Sequence, residues 1–367
     1  MIMTLLLSFT VFAYDTTYIE EKINIKDIYD SLPEEVLENI DRSLFDNDDI
    51  VKSAENITSD SVIDYVTNTL VNMLFPALKS FAALFSLIII TSLINTSKNT
   101  IASESLSKTV SFITTIALCV IAFETVKSSG IYVETFLKSM DNLINALLPV
   151  MTLLYTLGGN AASSIVNSMG ISFTLTLFNF IIQHLVTPVL KICFGLTIAG
   201  EVGALKGVTQ ITKTIKIIIT VLLSAVITIF SIFLLFKTNL SVASDSVAAR
   251  TVKFAGSFIP VIGSPLGESV RSIMSGLSLI KSSTGYIGII IVFLLTVPTV
   301  LQLILTKFSL ELSSSLAHIL GSEKEGNILK EFASLFNYLL AITVSVVILF
   351  LFELIVFVTI SPALGGS

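Results

Sequence analysis

Residues Tyr286–Thr306 read YIGIIIVFLLTVPTVLQLILT and contain no Asp, Glu, Lys or Arg. About 20 apolar residues in helical conformation cross the ~30 Å hydrocarbon core of a bilayer. Two more charge-free runs have the same character, Ile217–Phe236 and Ser334–Phe352. Phe75–Asn95 and Thr109–Phe123 are further candidate spans, with Lys79 and Glu124 at or near their ends. In lipid every backbone N–H and C=O must find a partner within the segment, so such runs are helices. The fold expected from these runs is all-α, a polytopic membrane bundle of about seven spans with a small acidic helical N-terminal ectodomain.

Composition agrees. The 367 residues are 53% hydrophobic and 13% charged, with a mean hydropathy of +0.90. A soluble surface needs roughly a quarter of its residues charged. Residues 14–72 carry 15 Asp/Glu and 4 Lys/Arg, so an acidic head precedes a mildly basic membrane body. No basic cluster points to nucleic acid. Cys119 and Cys193 both lie within apolar runs, where small buried hydrophobes are expected and not a disulfide or metal pair.

Five regions follow along the chain. Residues 1–13 read as a signal-like leader ending Val11-Phe12-Ala13, although no basic residue precedes its apolar core. Residues 14–72 form the acidic ectodomain, placed outside the cytoplasm by that leader. In it Ser31-Leu32-Pro33-Glu34 has capping-box spacing, and Asp46-Asn47-Asp48-Asp49 reads as a solvated loop. Residues 73–236 hold membrane helices, with a broken region at 143–200 where Gly158-Gly159-Asn160 and Pro188 interrupt the apolar pattern.

Residues 237–285 contain Pro260-Val261-Ile262-Gly263-Ser264-Pro265-Leu266-Gly267. The stretch reads as an interfacial pair of helices, or else as a re-entrant hairpin or partner-binding face, with Lys281 off the apolar face of the helix that follows. Residues 286–367 hold the last two spans and, at 307–333, a surface helical hairpin. That hairpin turns at Gly321, with Ser322 and Glu325 spaced as a capping box.

Ionisable groups at membrane depth are costly in lipid and mark interiors or aqueous paths. Glu124 and Glu353 lie toward span ends, where snorkelling to the headgroups accounts for them. Lys191, in the broken region beside Gln183 and His184, is the better candidate for a functional charge. No HExxH, GxSxG or Walker A pattern occurs, and His184 and His318 are the only histidines. No enzymatic activity, cofactor, metal or catalytic residue is expected.

The stretch Asp245–Phe254 (DSVAARTVKF), followed by Phe258-Ile259-Pro260-Val261-Ile262-Gly263, resembles the stage III sporulation protein AE family of endospore-forming bacteria. The Tyr286–Thr306 span and the Leu32–Val36 element look like it too. The resemblance implies a multi-pass subunit of the channel complex between mother cell and forespore. It would sit in the mother-cell membrane around the forespore, acting by assembly and lining a conduit. Its implied partners are the other stage III sporulation A-operon membrane proteins, a forespore-side channel partner and the lipid bilayer. Arg250, Lys253, Phe258, Pro260, Gly263, Pro265 and Gly267 are the candidate assembly or re-entrant element. The competing reading is a stand-alone secondary transporter or exporter of a small solute, with Lys191 in its path.

Overall fold

The computed structural model describes residues 59–96, 104–157, 187–202, 210–225 and 263–359, with isolated positions at 180–184 and 227–232. The leader, the acidic head up to residue 58, the Gly158–Asn160 break, Gln183 and Arg250–Pro260 lie outside the described residues. Among the described residues the chain is helical throughout. The helices are α1 (Ser59–Thr96), α2 (Glu104–Leu157), α3 (Thr187–Val202), α4 (210–225), α5 (Gly263–Ile319) and α6 (Glu323–Thr359). Four of them, α1, α2, α5 and α6, are long and apolar enough to cross a membrane.

At 1.5 Å per residue α2 and α5, with 54 and 57 residues, are each about 80 Å long, far more than a bilayer requires. Thr109–Phe123, read as a span, and the apolar run Leu143–Leu157, which opens the predicted broken region, are two ends of the single helix α2. The polar residues between them do not break it. Val126, Val133, Phe136, Leu137 and Met140 recur at helical spacing there and are buried. In the same way the predicted hairpin over 307–333 is the turn end of α5 and α6, with no break at Thr306 or Ser334.

That turn is legible atom by atom. Gly321 has φ of +73°, the left-handed conformation that costs residues with a Cβ. The Ser322 N–H donates to the Ala317 carbonyl (2.8 Å) and the Gly321 N–H to His318 (3.1 Å), the paired bonds of a Schellman cap. The expected capping-box side-chain bonds do not form. The Ser322 N–H is already spent on Ala317, and the Glu325 carboxylate accepts instead from Thr115 Oγ1 of α2 (2.9 Å).

Three bonds set α1 against α5. Tyr65 Oη donates to the Leu294 carbonyl (2.7 Å), Ser309 Oγ to Ala77 (3.1 Å) and Ser92 Oγ to Leu320 (2.8 Å). The separation in sequence stays near 230 residues at all three, so α1 and α5 run parallel. α6 returns antiparallel to α5: Gly288 meets Leu354, and Gly285 meets Phe357 and Val358. α2 runs with α6, from the Thr115–Glu325 bond to the Tyr155–Phe357 ring contact at 5.4 Å. The bundle is therefore two antiparallel helix pairs, α1/α2 and α5/α6, side by side, with the last turns of α1 and the first turns of α2 at the end that carries the Gly321 turn. The N-terminal ends of α1 and α5 point the same way.

A Cβ on Gly285 would collide with Val358 Cγ2. Gly285→Ala is expected to destabilise the bundle by about 1–3 kcal/mol, the usual cost of overpacking. It should lower the unfolding temperature in detergent, and adding Val358→Ala to the same chain should restore most of the loss.

Candidate functional site: polar groups at membrane depth

The predicted intramembrane polar residues separate. Glu124, on α2, is exposed and faces Lys127 one turn later at 3.8 Å. His184 stacks on Phe180 with ring centroids 4.6 Å apart, and its Nδ1 lies 3.1 Å from the Phe180 carbonyl. That contact is local to one helical turn. Lys191 is exposed on α3. Glu353 is 6% exposed and buried in the bundle. Gly263, Pro265 and Gly267 occupy the first turns of α5. These residues form no single cluster among the described residues.

The structure instead assembles polar groups that the sequence left unremarked. Lys216, on α4, forms an ion pair with Glu331 on α6 and donates to Ser334 Oγ at 2.6 Å. The Tyr338 hydroxyl donates to the Lys216 carbonyl at 3.3 Å. Only 13% of the Lys216 side chain and 30% of Glu331 is exposed, so the pair is drawn largely out of solvent. It opens on a groove of about 530 Å³ between α4 and α6. The groove's polar end holds Lys213, Lys216, Glu331 and Asn337, and Leu223, Ile227 and Ala341 are apolar parts of its wall.

Lys216 and Glu331 stand immediately before or just ahead of the charge-free runs Ile217–Phe236 and Ser334–Phe352. In the sequence they look like ordinary flanking charges. The missed signal was that two opposite charges hold equivalent places at the starts of two apolar runs. Packing α4 against α6 brings them together.

A second buried cation closes the other end of the bundle. Lys281 is 5% exposed, with Nζ over the rings of Tyr155 (5.1 Å) and Phe357 (5.3 Å). The sequence placed Lys281 away from the apolar face. The cation–π contacts from α2 and α6 give it an interior place instead. Tyr155 and Phe357 meet edge to face, so one aromatic pair joins α2, α5 and α6.

Phe194 of α3 completes the register, meeting Phe123 at 6.4 Å and Phe332 at 5.4 Å. Cys193 beside it, like Cys119, is buried and lies outside any disulfide.

A family model described as stage III sporulation protein AE matches residues 43–361, which take in all six helices. Stage III sporulation protein AE of Bacillus subtilis (strain 168) is 23% identical over 263 residues, 71% of this chain and 66% of that protein. The match thus spans just under two thirds of that relative's length. No solved structure matches.

Removing one member of the Lys216–Glu331 pair leaves the other charge poorly solvated, whereas removing both does not. Lys216→Met and Glu331→Gln should each lower stability. The double variant should lose less than the sum of the two, by a coupling of about 1–2 kcal/mol in a double-mutant cycle followed by thermal unfolding in detergent.

Proposed function

The chain belongs to the stage III sporulation protein AE family, and from that premise we propose that it is a multi-pass subunit of a channel complex between mother cell and forespore. In this reading it acts without catalysis, by assembling with other membrane proteins of the same sporulation stage and with a partner on the forespore side. It lies in the mother-cell membrane around the forespore, with its acidic N-terminal segment outside the cytoplasm.

The observation that supports assembly is a collar of exposed apolar side chains at the turn end. Ile90 and Leu93 of α1, Ile113 and Ile116 of α2, and Leu312 and Ile319 of α5 are all exposed there. The same end carries Glu323 and Lys324 at its surface, and the Lys307–Glu311 pair lies a few turns below. An apolar collar interleaved with charges is poorly matched both to lipid and to water. It suits the surfaces of neighbouring protein subunits, and large apolar patches on proteins mark such surfaces.

A stand-alone transporter would need no such collar. Its proposed charge, Lys191, lies apart from the groove between α4 and α6.

The test is a gentle-detergent pull-down of the tagged full chain from sporulating cells, with co-purifying proteins identified by mass spectrometry. Recovery with other sporulation membrane proteins in one high-mass species is expected. Leu93→Lys with Ile319→Lys should cut that recovery at least tenfold while the chain stays membrane-inserted at normal level. Recovery of the wild-type chain alone, together with solute flux that is lost on Lys191→Ala, would establish the transporter reading in its place.

A further inference from the structure

The register of the bundle sets one face of α2 against the bilayer in an unexpected way. Phe123 is level with Phe332 through Phe194, and Leu147 reaches the contact between Gly288 and Leu354. Residues 123–147 of α2 therefore lie alongside 332–354 of α6, which includes the charge-free run Ser334–Phe352. If that run crosses the hydrocarbon, so does this part of α2. The exposed positions of α5 and α6 at this depth suit lipid, with Phe293, Ile304, Val344 and Ile348 among them.

The exposed face of α2 does not suit lipid. Glu124, Lys127, Glu134, Lys138, Asn142 and Asn145 recur at helical spacing along it, joined by Ser128 and Thr135 and interrupted by Ile131. From Glu124 to Asn145 the stripe is about 32 Å long at 1.5 Å per residue, close to the hydrocarbon thickness. Its charges pair along the helix, Glu124 with Lys127 at 3.8 Å and Glu134 with Lys138 at 3.0 Å, and these four side chains remain 57–66% exposed. The opposite face, with Val126, Val133, Phe136 and Met140, is buried in the bundle. The helix is thus amphipathic, with its polar face turned outward at bilayer depth.

Charged side chains held against lipid along a whole bilayer are excluded by their solvation cost, and they face an aqueous path instead. We propose that the Glu124–Asn145 face of α2 lines a water-filled conduit, closed by several copies of this chain or by its neighbours in the assembly. The proposal rests on the channel-subunit reading and adds to it the face that meets the solute. The two acid–base pairs cancel and half-exposed Asp141 adds a single acid, so the wall has no strong charge of either sign. The solute class it fits is small and hydrophilic, with little selection by charge.

Thiol accessibility tests this in the full chain, in membrane fragments from sporulating cells that are open to reagent on both sides. Cys119 and Cys193 are buried and provide the unlabelled background. Ser128→Cys, Thr135→Cys and Asn142→Cys on α2 are compared with Val344→Cys and Ile348→Cys on α6, using a charged, membrane-impermeant thiol reagent. The α2 positions are expected to label at least tenfold faster.

Equally slow labelling at all five, or α2 labelling that appears only after the chain is extracted from its partners, would overturn the proposal by showing the stripe covered. Fast labelling at Val344→Cys and Ile348→Cys would overturn it by placing this depth outside the bilayer. The pull-down separates this result from the reading beneath it. A labelled stripe in a chain that purifies alone keeps the water-lined face and removes the complex. An unlabelled stripe in a chain that purifies with partners does the reverse.

Discussion

Lipid tails are as apolar as leucine, so the hydrophobic effect gives two membrane helices little reason to meet, and close packing has to hold them. In this bundle α5 and α6 pack closely at three glycines. Gly285 admits Val358, Gly288 admits Leu354, and Gly326 lies under the His318 ring. Ser314 Oγ donates to the Gly326 carbonyl at 2.7 Å, which fastens the two helices beside their turn. With that hairpin rigid, α1 and α2 have a fixed surface to pack against, and every other register in the bundle is measured from it.

Hydroxyl groups divide into two kinds. Thr91, Ser129, Thr343 and Ser345 donate to the carbonyl one turn back in their own helices, so they are satisfied without a tertiary partner. Tyr65, Ser92, Thr115 and Ser309 reach across to another helix. An unsatisfied polar group in a low-dielectric interior is expensive, so these few bonds penalise a slip of one helix along its neighbour. They hold the parallel alignment of α1 with α5 and the level of α2 against α6.

That alignment places unlike bands side by side. The most apolar part of the α5/α6 hairpin stands level with the polar middle of α2. The apolar ends of α1 and α2 stand level with the charged turn end of α5 and α6. A lone bundle in lipid leaves both arrangements unfavourable, whereas an assembly accommodates both: protein neighbours cover the collar and water covers the stripe. The proposed roles of the two surfaces therefore follow from the same mismatch.

Several features were written in the residue order alone. Membrane helices at Tyr286–Thr306 and Ser334–Phe352 follow from uninterrupted apolar runs, because lipid leaves the backbone no other conformation. The turn at Gly321 follows too, since a glycine placed after an apolar helical pattern supplies the left-handed residue that ends a helix. Local chemistry suffices for these.

The continuity of α2 was only half legible. The helical spacing of Val126, Val133, Phe136 and Met140 was present, but the polar residues from Glu124 to Asn142 separate the apolar runs on either side. The pairing of Lys216 with Glu331, across 115 residues, and the interior place of Lys281 were not legible at all. Hydropathy and capping act within a turn or two of the chain. Which distant side chains meet, and which face of a polar helix turns outward, is decided by how whole helices pack, and only the tertiary structure carries that.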